Sequence, residues 1–327
     1  MNSGIRTLRV AAAQMESHNC AVADNLERAT GFAEQAAEKG GRLVVFPEFM
    51  STGYLFTEAI WDAAETSEGP TMTWLRETSQ RFGIWLGTCF LEARDDDFFN
   101  TFALTRPDGE IAGTVRKQEP AAVEACFFKG VKGDHVIETE LGRVGVGICF
   151  ENQLAFMSRL MFAQSVDIML MPHSAPCPTP TPLVPQRLLD GYPQVLERLP
   201  GHYARALGVP VIYVNKCGRF RSTVPGMPFY AQDSSFPGLS TIADSDGSIV
   251  DRLGSDEGVA VGEVTMDPAR KSTIAPECRG RWSLPVPLVA RALPVAQAAA
   301  GTWYRFSGTR RRRAREVSSG ARTPGRT

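Results

Sequence analysis

The sequence predicts a layered α/β protein built on mixed sheets. Short apolar runs alternate with segments of helical period, the pattern of strands and helices taken in turn. Antiparallel hairpins interrupt that alternation, so the sheets are not purely parallel. No linker divides the 327 residues before about position 280, which gives one large domain over 1–280 and an extension over 281–327.

Residues 8–14 are short and apolar, a buried strand. Val22, Leu26, Ala29, Phe32 and Ala36 follow at steps of three or four, an amphipathic helix that Gly40-Gly41 stops. Residues 43–46 form a second buried strand ending at Pro47-Glu48. A helix is expected over 71–82, strands over 84–92 and 101–105, and a hairpin through Pro107-Asp108-Gly109-Glu110 into 111–117. Residues 136–141 turn at Gly142-Arg143 into a glycine-spaced strand that ends at Cys149. A helix over about 152–164, a strand over 167–171, a helix ending near Leu207 and a strand over 209–214 continue the pattern. A second hairpin joins 240–243 to 248–253, and 259–264 is the last strand. Residues 176–185 carry five prolines and read as an ordered loop or lid between core elements. After Trp282 the chain turns Pro/Ala-rich and then basic at Arg310 to Arg313 and Arg315, an extension expected to be partly disordered or docked in an oligomer.

Composition narrows the function classes. The formal net charge of −1 supplies no global field for nucleic acid or an anionic membrane. No apolar run approaches the roughly 20 residues of a membrane helix, and the N-terminus lacks an export pattern. A cytoplasmic setting is therefore expected. The seven cysteines form no C-x-x-C pair, and the four histidines, at 18, 135, 173 and 202, lack metal-ligand spacing. Neither a metal nor another cofactor is expected, and a cysteine nucleophile here needs a base other than imidazole.

Three polar residues stand where buried strands end: Glu48, Lys117 and Cys149. Such ends are where α/β folds present working side chains. Taken singly, each has an ordinary reading, as a solvated carboxylate, a surface charge beside Arg116, and a small core residue. Together they fit one chemistry. A cation beside a thiol lowers its pKa, and Lys117 can supply that charge. Glu48 can take the thiol proton, protonate a leaving amine and then activate water. Lys117 and the backbone N–H after the nucleophile can stabilise an oxyanion. The helix expected after Cys149 adds a positive dipole end near the sulfur.

These residues also carry a resemblance. Leu43-Val44-Val45-Phe46-Pro47-Glu48 followed by Gly53-Tyr54 resembles the first signature of the nitrilase, or carbon–nitrogen hydrolase, superfamily. Arg116-Lys117 followed by Glu124, Phe127-Phe128 and Gly130 is similar to its second, and Gly142-Arg143-Val144-Gly145 through Ile148-Cys149-Phe150-Glu151 to its third. Arg205-Ala206 leading to Asn215 and Gly218, and Gly238-Leu239-Ser240 leading to Asp246-Gly247, match later segments. The resemblance runs over residues 8–267. It implies a four-layer α-β-β-α sandwich, with Glu48 as general base and acid, Lys117 as stabiliser of the intermediate and Cys149 as nucleophile. It points to Glu124 as a second carboxylate that orients the lysine or the substrate. It also implies a homodimer or larger homo-oligomer. Cys126 and Cys177 rank below Cys149, because neither ends a strand. By their places after strand ends, Tyr54, Phe150, His173 and Ser174 are candidate substrate-binding residues.

An amidase that takes a small-molecule amide is the preferred activity, with a nitrilase that takes a nitrile as the alternative. Cys149-Phe150-Glu151-Asn152 resembles the C-W-E-N of true nitrilases with Phe in place of Trp, and Ala125 stands where nitrilases commonly carry Arg. A non-catalytic binding protein that retains the fold is the reading from another class.

Overall fold

The computed structural model describes residues 4–321 apart from 181–184, 226, 279, 288–289 and 291–292. The first strand, β1 (Arg6–Gln14), explains the layering. Val10 and Ala12 lie in one apolar core and Ala11 and Ala13 in another, so its buried end has no solvent face. A strand covered on both sides must lie inside a stack of layers.

The chain continues through α1 (Val22–Glu38), β2 (Leu43–Val45), α2 (Pro70–Phe82), β3 (Trp85–Arg94), β4 (Asp97–Thr105) and β5 (Ile111–Arg116). It then forms β6 (Val136–Thr139), β7 (Gly142–Val146), α3 (Ala155–Ala163), β8 (Ile168–Pro172), α4 (Tyr192–Leu207) and β9 (Val211–Val214). A long ribbon, β10 (Cys217–Val224) with β11 (Met227–Pro237), precedes β12 (Thr241–Ala243), β13 (Ile249–Arg252) and β14 (Gly258–Met266). Helices α5 (Leu293–Phe306) and α6 (Gly308–Ser318) close the described chain.

Among the described residues there are two six-stranded sheets, ordered β14-β1-β2-β3-β4-β5 and β13-β12-β9-β8-β7-β6. Each has parallel pairs at its centre and antiparallel pairs outside them. Val10, Leu43, Val45, Phe102 and Leu104 of the first sheet share a core with Val144, Val146, Ile168 and Leu170 of the second, so the sheets face each other. Leu26, Ala29 and Ala33 of α1 and Met72 and Leu75 of α2 cover the outer face of the first sheet. Leu196, Leu199, Tyr203 and Leu207 of α4, with Met157 and Met161 of α3, cover the second. The result is the expected four-layer α-β-β-α sandwich with mixed sheets.

The helix expected over about 152–164 is α3, which starts at Ala155 after a short 3₁₀ turn (Cys149–Gln153). A helix dipole acts within its first turn, so the sulfur of Cys149 does not sit at the helix end. The basic extension forms α5 and α6, which pack on the body of their own chain. Ala300, Ala314 and Val317 join a core with Trp61, Leu91, Phe98 and Phe127. Of the proline-rich loop over 176–185, positions 181–184 lie outside the described residues.

Candidate active site

Strands of both sheets end on one side of the stack, and the loops after them meet there. Glu48 follows β2, Lys117 follows β5, Cys149 follows β7, His173 and Ser174 follow β8, and Asn215 and Lys216 follow β9. The backbone N–H of Glu48 donates to the His173 carbonyl at 3.3 Å, which ties the two sheets together at this corner.

Lys117 is the centre of the arrangement and is fully buried. Its Nζ donates to Glu48 Oε1 at 2.8 Å and to Glu124 Oε2 at 2.8 Å. Burial alone would push the lysine pKa down, but the two carboxylates outweigh it and hold it well above its usual value. Glu124 sits in a 3₁₀ turn (Ala122–Cys126), where the Ala121 N–H donates to its Oε2 at 2.6 Å and the Tyr54 hydroxyl to its Oε1. Burial raises the Glu124 pKa, while Lys117 pulls it down. The Tyr54 hydroxyl, pushed well up by burial and by Glu124, remains a proton donor.

Glu48 is held from three sides. Asn100 Nδ2 donates to its Oε1 at 2.6 Å, the Ser174 N–H to its Oε2 at 2.9 Å, and Ser174 Oγ to its backbone carbonyl at 2.5 Å. Asn100 does double duty, because its backbone carbonyl also accepts the Lys117 backbone N–H at 2.9 Å. Each of these groups is buried, so a lost partner would leave an unpaired polar atom costing about 1–3 kcal/mol.

Cys149 is 4 % exposed and has φ +53°, the left-handed region that a residue with a Cβ adopts at a cost of roughly 1–2 kcal/mol. The turn it opens is pinned by Glu151, whose Oε2 accepts the Ile148 N–H at 3.0 Å. Glu151 Oε1 accepts the Gln118 N–H at 2.7 Å and the Glu119 N–H at 3.1 Å, so one carboxylate joins the Cys149 turn to the segment after Lys117. Gly147 is required beside it, since a Cβ there would collide with Asn152 Oδ1.

The thiol is not activated in the way its neighbours in sequence suggest. Burial and the Glu48 charge raise the Cys149 pKa well above the ordinary thiol value; Lys117 lowers it, Glu124 raises it, and the Ser174 backbone lowers it. The lysine does not dominate because its charge is already matched by two carboxylates. Burial and the Glu48 charge thus favour the protonated form of the Cys149 thiol.

The other expected residues divide. Tyr54 and Ser174 touch the acidic pair directly. The His173 ring accepts at Nε2 from Asn152 Nδ2 at 2.9 Å; the orientation of that amide is set by its second contact, with the Gly147 carbonyl at 2.7 Å. Burial and then Lys117 push the His173 pKa well down, so the ring is neutral, and it lies against Tyr213 with centroids 4.5 Å apart. Phe150 packs edge-on to Trp282 at 6.0 Å. Among the described residues no group of three or more His, Cys, Asp or Glu side chains is arranged to hold a metal ion.

Residues 9–272 match the sequence profile of the family described as "Carbon-nitrogen hydrolase". The chain belongs to the carbon–nitrogen hydrolase family. Its similarity to individual members is low. It is 28% identical to a nitrilase of Pyrococcus abyssi (strain GE5 / Orsay) over 187 residues, 56% of this chain and 71% of that protein. It is 26% identical to the N-carbamoylputrescine amidase of Solanum lycopersicum over 275 residues, 80% and 86% of the two chains. A solved structure, a mutant of the amidase from Nesterenkonia sp. AN1 with the acetamide moiety of fluoroacetamide added covalently at its active site cysteine, aligns with a TM-score of 0.65 and 20% identity. That alignment covers 79% of this chain and 90% of the other. Such a likeness establishes the fold of this carbon–nitrogen hydrolase.

Sequence reasoning missed Asn100, Glu151, Asn152 and Lys216 among the residues that build the site. Asn100 lies inside a strand rather than at its end. Glu151 and Asn152 sit within a signature that drew notice for its cysteine. Lys216 stands next to Asn215, in a segment that was matched by its flanking residues.

Proposed function

We propose that the chain is an amidase that cleaves non-peptide carbon–nitrogen bonds of small molecules through a cysteine thioester. The observation that carries this reading is Lys117, buried between Glu48 and Glu124 at 2.8 Å from each, in the electrostatic reach of the Cys149 thiol. Glu48 takes the proton of the thiol as Sγ attacks the amide carbonyl. Lys117 Nζ and the Phe150 backbone N–H donate to the oxyanion of the tetrahedral intermediate. The carbon–nitrogen bond breaks as Glu48 returns the proton to the leaving ammonia or amine, and a thioester remains. Glu48 then deprotonates water, which attacks the thioester; the acid leaves, and Sγ recovers its proton. Glu124 orients Lys117, and Tyr54 and Ser174 in turn orient Glu124 and Glu48. Phe150, His173 and Ser174 border the space for the acyl group.

A resting thiol suits this cycle, because the negative charge rests on the Glu48 carboxylate, paired with Lys117, and passes to the sulfur only as attack begins. A nitrile offers the same carbon to the same sulfur and gives a thioimidate, so nitrile hydrolysis is the second reading, supported by the nitrilase relative. Residues 1–280 form the catalytic domain of this proposal and 281–327 an appended segment. Unbridged thiols at all seven cysteines support a cytoplasmic setting. Val295, Trp303 and Phe306, exposed along α5, support self-association, which light scattering of the full chain would check.

The test compares the wild type with Cys149→Ala on small amides, carbamoyl compounds and nitriles, with ammonia release and intact mass as readouts. Ammonia from amides, with an acyl adduct on the wild type alone, is the expected result. Ammonia from nitriles only would move the chain to the nitrilase reading. Full turnover in Cys149→Ala would end the thioester proposal.

A further inference from the structure

Among the described residues two lysines are buried, Lys117 and Lys216. The first is matched by two carboxylates. The second, one residue beyond the matched Asn215, takes no part in the chemistry above. Its Nζ donates to the backbone carbonyl of Phe49 at 2.8 Å and lies 6.0 Å from the centre of the Phe236 ring. An ammonium has three protons to place, and burying one with so little company is costly. Burial accordingly brings the Lys216 pKa down to about 7, against the opposing charge of Glu48. A side chain needed only to fill space would be apolar.

The position of its contact explains its presence. Phe49 directly follows Glu48 and has φ +51°; like Cys149, it is a non-glycine residue at the site in the left-handed region. A backbone held in that region persists only where its surroundings over-determine it. Lys216 anchors the carbonyl of this strained residue. Its neighbour Asn215 does the same for the opposite wall, with Oδ1 accepting the Ala175 N–H at 3.0 Å. Ala175 follows Ser174, which donates to both the carboxylate and the backbone of Glu48. Two consecutive residues at the end of β9 thus hold the two backbone segments that converge on Glu48.

We propose that Lys216 is a positioning residue, whose hydrogen bond to the Phe49 carbonyl fixes the Pro47–Phe49 corner and with it the direction of the Glu48 carboxylate. The proposal rests on the reading of Glu48 as the base that serves Cys149. It does not depend on which carbon–nitrogen bond is cut.

Lys216→Met, similar in length but without a donor, and Lys216→Gln, with an uncharged N–H donor, are compared with the wild type as full chains. Three quantities are read: the rate of iodoacetamide alkylation at Cys149, kcat and KM on a turned-over substrate, and the thermal midpoint. Displacing a catalytic group by a fraction of an ångström costs roughly tenfold or more in rate. Lys216→Met should therefore lose at least about tenfold in both kcat and alkylation, with KM within about threefold. Lys216→Gln should recover most of both. Unchanged kcat and alkylation in Lys216→Met would overturn the proposal, as would Lys216→Gln as impaired as Lys216→Met. If Lys216→Met does not fold, Lys216→Gln against the wild type decides: near-normal alkylation supports the held carbonyl, and a tenfold loss overturns it. Alkylation needs no substrate. A wild type silent on every amide but alkylated quickly at Cys149 would count against the amidase reading and leave the Lys216 comparison intact.

Discussion

Two regions of the molecule are built from ion pairs, and they differ in what surrounds them. At the candidate active site a single ammonium is shared by two carboxylates, and all three side chains are fully buried. At the C-terminal margin arginines of α6 reach acidic residues of the body: Arg310 to Asp97 at 2.6 Å, Arg313 to Asp62 at 2.8 Å and Arg315 to Asp96 at 2.5 Å. There exposure rises from one pair to the next, until Arg315 and Asp96 stand in open solvent. Water screens the outer pairs and leaves little net energy in them. Removing water at the inner cluster makes each charge dependent on its partner, so the cluster holds fixed directions, and the proton affinities of Lys117 and Glu124 are shifted. Glu65 gives a third case, a buried carboxylate served by the Thr71 hydroxyl and N–H rather than by a cation. Burial raises its pKa to about 7 although the Thr71 bonds pull it down. The distinction is therefore between burial with a counter-charge, burial without one, and exposure.

Lys117→Met attacks the comparison where it is strongest. If Lys117 donates to the oxyanion as proposed, its loss should lower turnover by at least about 100-fold. It should also leave two carboxyls facing each other, at a cost of about 3–5 kcal/mol at neutral pH. Denaturant unfolding should show that deficit shrink as pH falls, because Glu124, whose pKa burial raises, can then take up a proton. A variant as stable as wild type at neutral pH would mean that the buried pair is not dependent on its lysine.

Glu65→Gln is expected to act through pH. The native carboxyl keeps its proton up to about pH 7, whereas the unfolded one releases it near its ordinary value of 4.5. The native state thus binds more protons across that window, and stability falls as pH rises through it. The full difference is roughly 3 kcal/mol. The Gln variant should show a flatter stability profile between those limits, and an unchanged slope would remove Glu65 as its source.

At the margin the effects should fall away in order. Arg310 is nearly buried, stacks on Tyr304 at 4.2 Å and also bonds the Asp96 and Tyr304 carbonyls. Asp97 keeps a second partner in Lys129 at 2.7 Å, so Arg310→Met should cost about 2 kcal/mol rather than the full value of a broken buried pair. Arg315→Ala should leave the thermal midpoint unchanged. Equal losses in the two variants would show that solvent exposure does not order this surface.

The layering was legible because it rests on local periodicity. The strand over residues 8–14, the helix from Val22 and the strand over 43–46 reappear as β1, α1 and β2 within a residue or three at each end. The ribbon of β10 and β11 went unread, although Arg219 and Arg221 alternate with Phe220 and Ser222 as a half-buried strand would. In α6, Arg310, Ala314 and Val317 mark a buried face at helical spacing, but a run of arginines conceals it.

The sequence by itself determined the strands of the two stacked sheets, the order in which they come, and that Glu48, Lys117 and Cys149 end them, because side-chain period and chain direction are local properties. Placing Glu48, Lys117, Glu124 and Cys149 in the same environment required tertiary structure, since they come from segments as much as 101 positions apart that only the two stacked sheets bring together. Tertiary structure also decided the state of the thiol. Lys117 reads in sequence as a free cation able to draw off its proton. In the fold, water is excluded and two carboxylates already claim that charge, so burial leaves the Cys149 pKa raised.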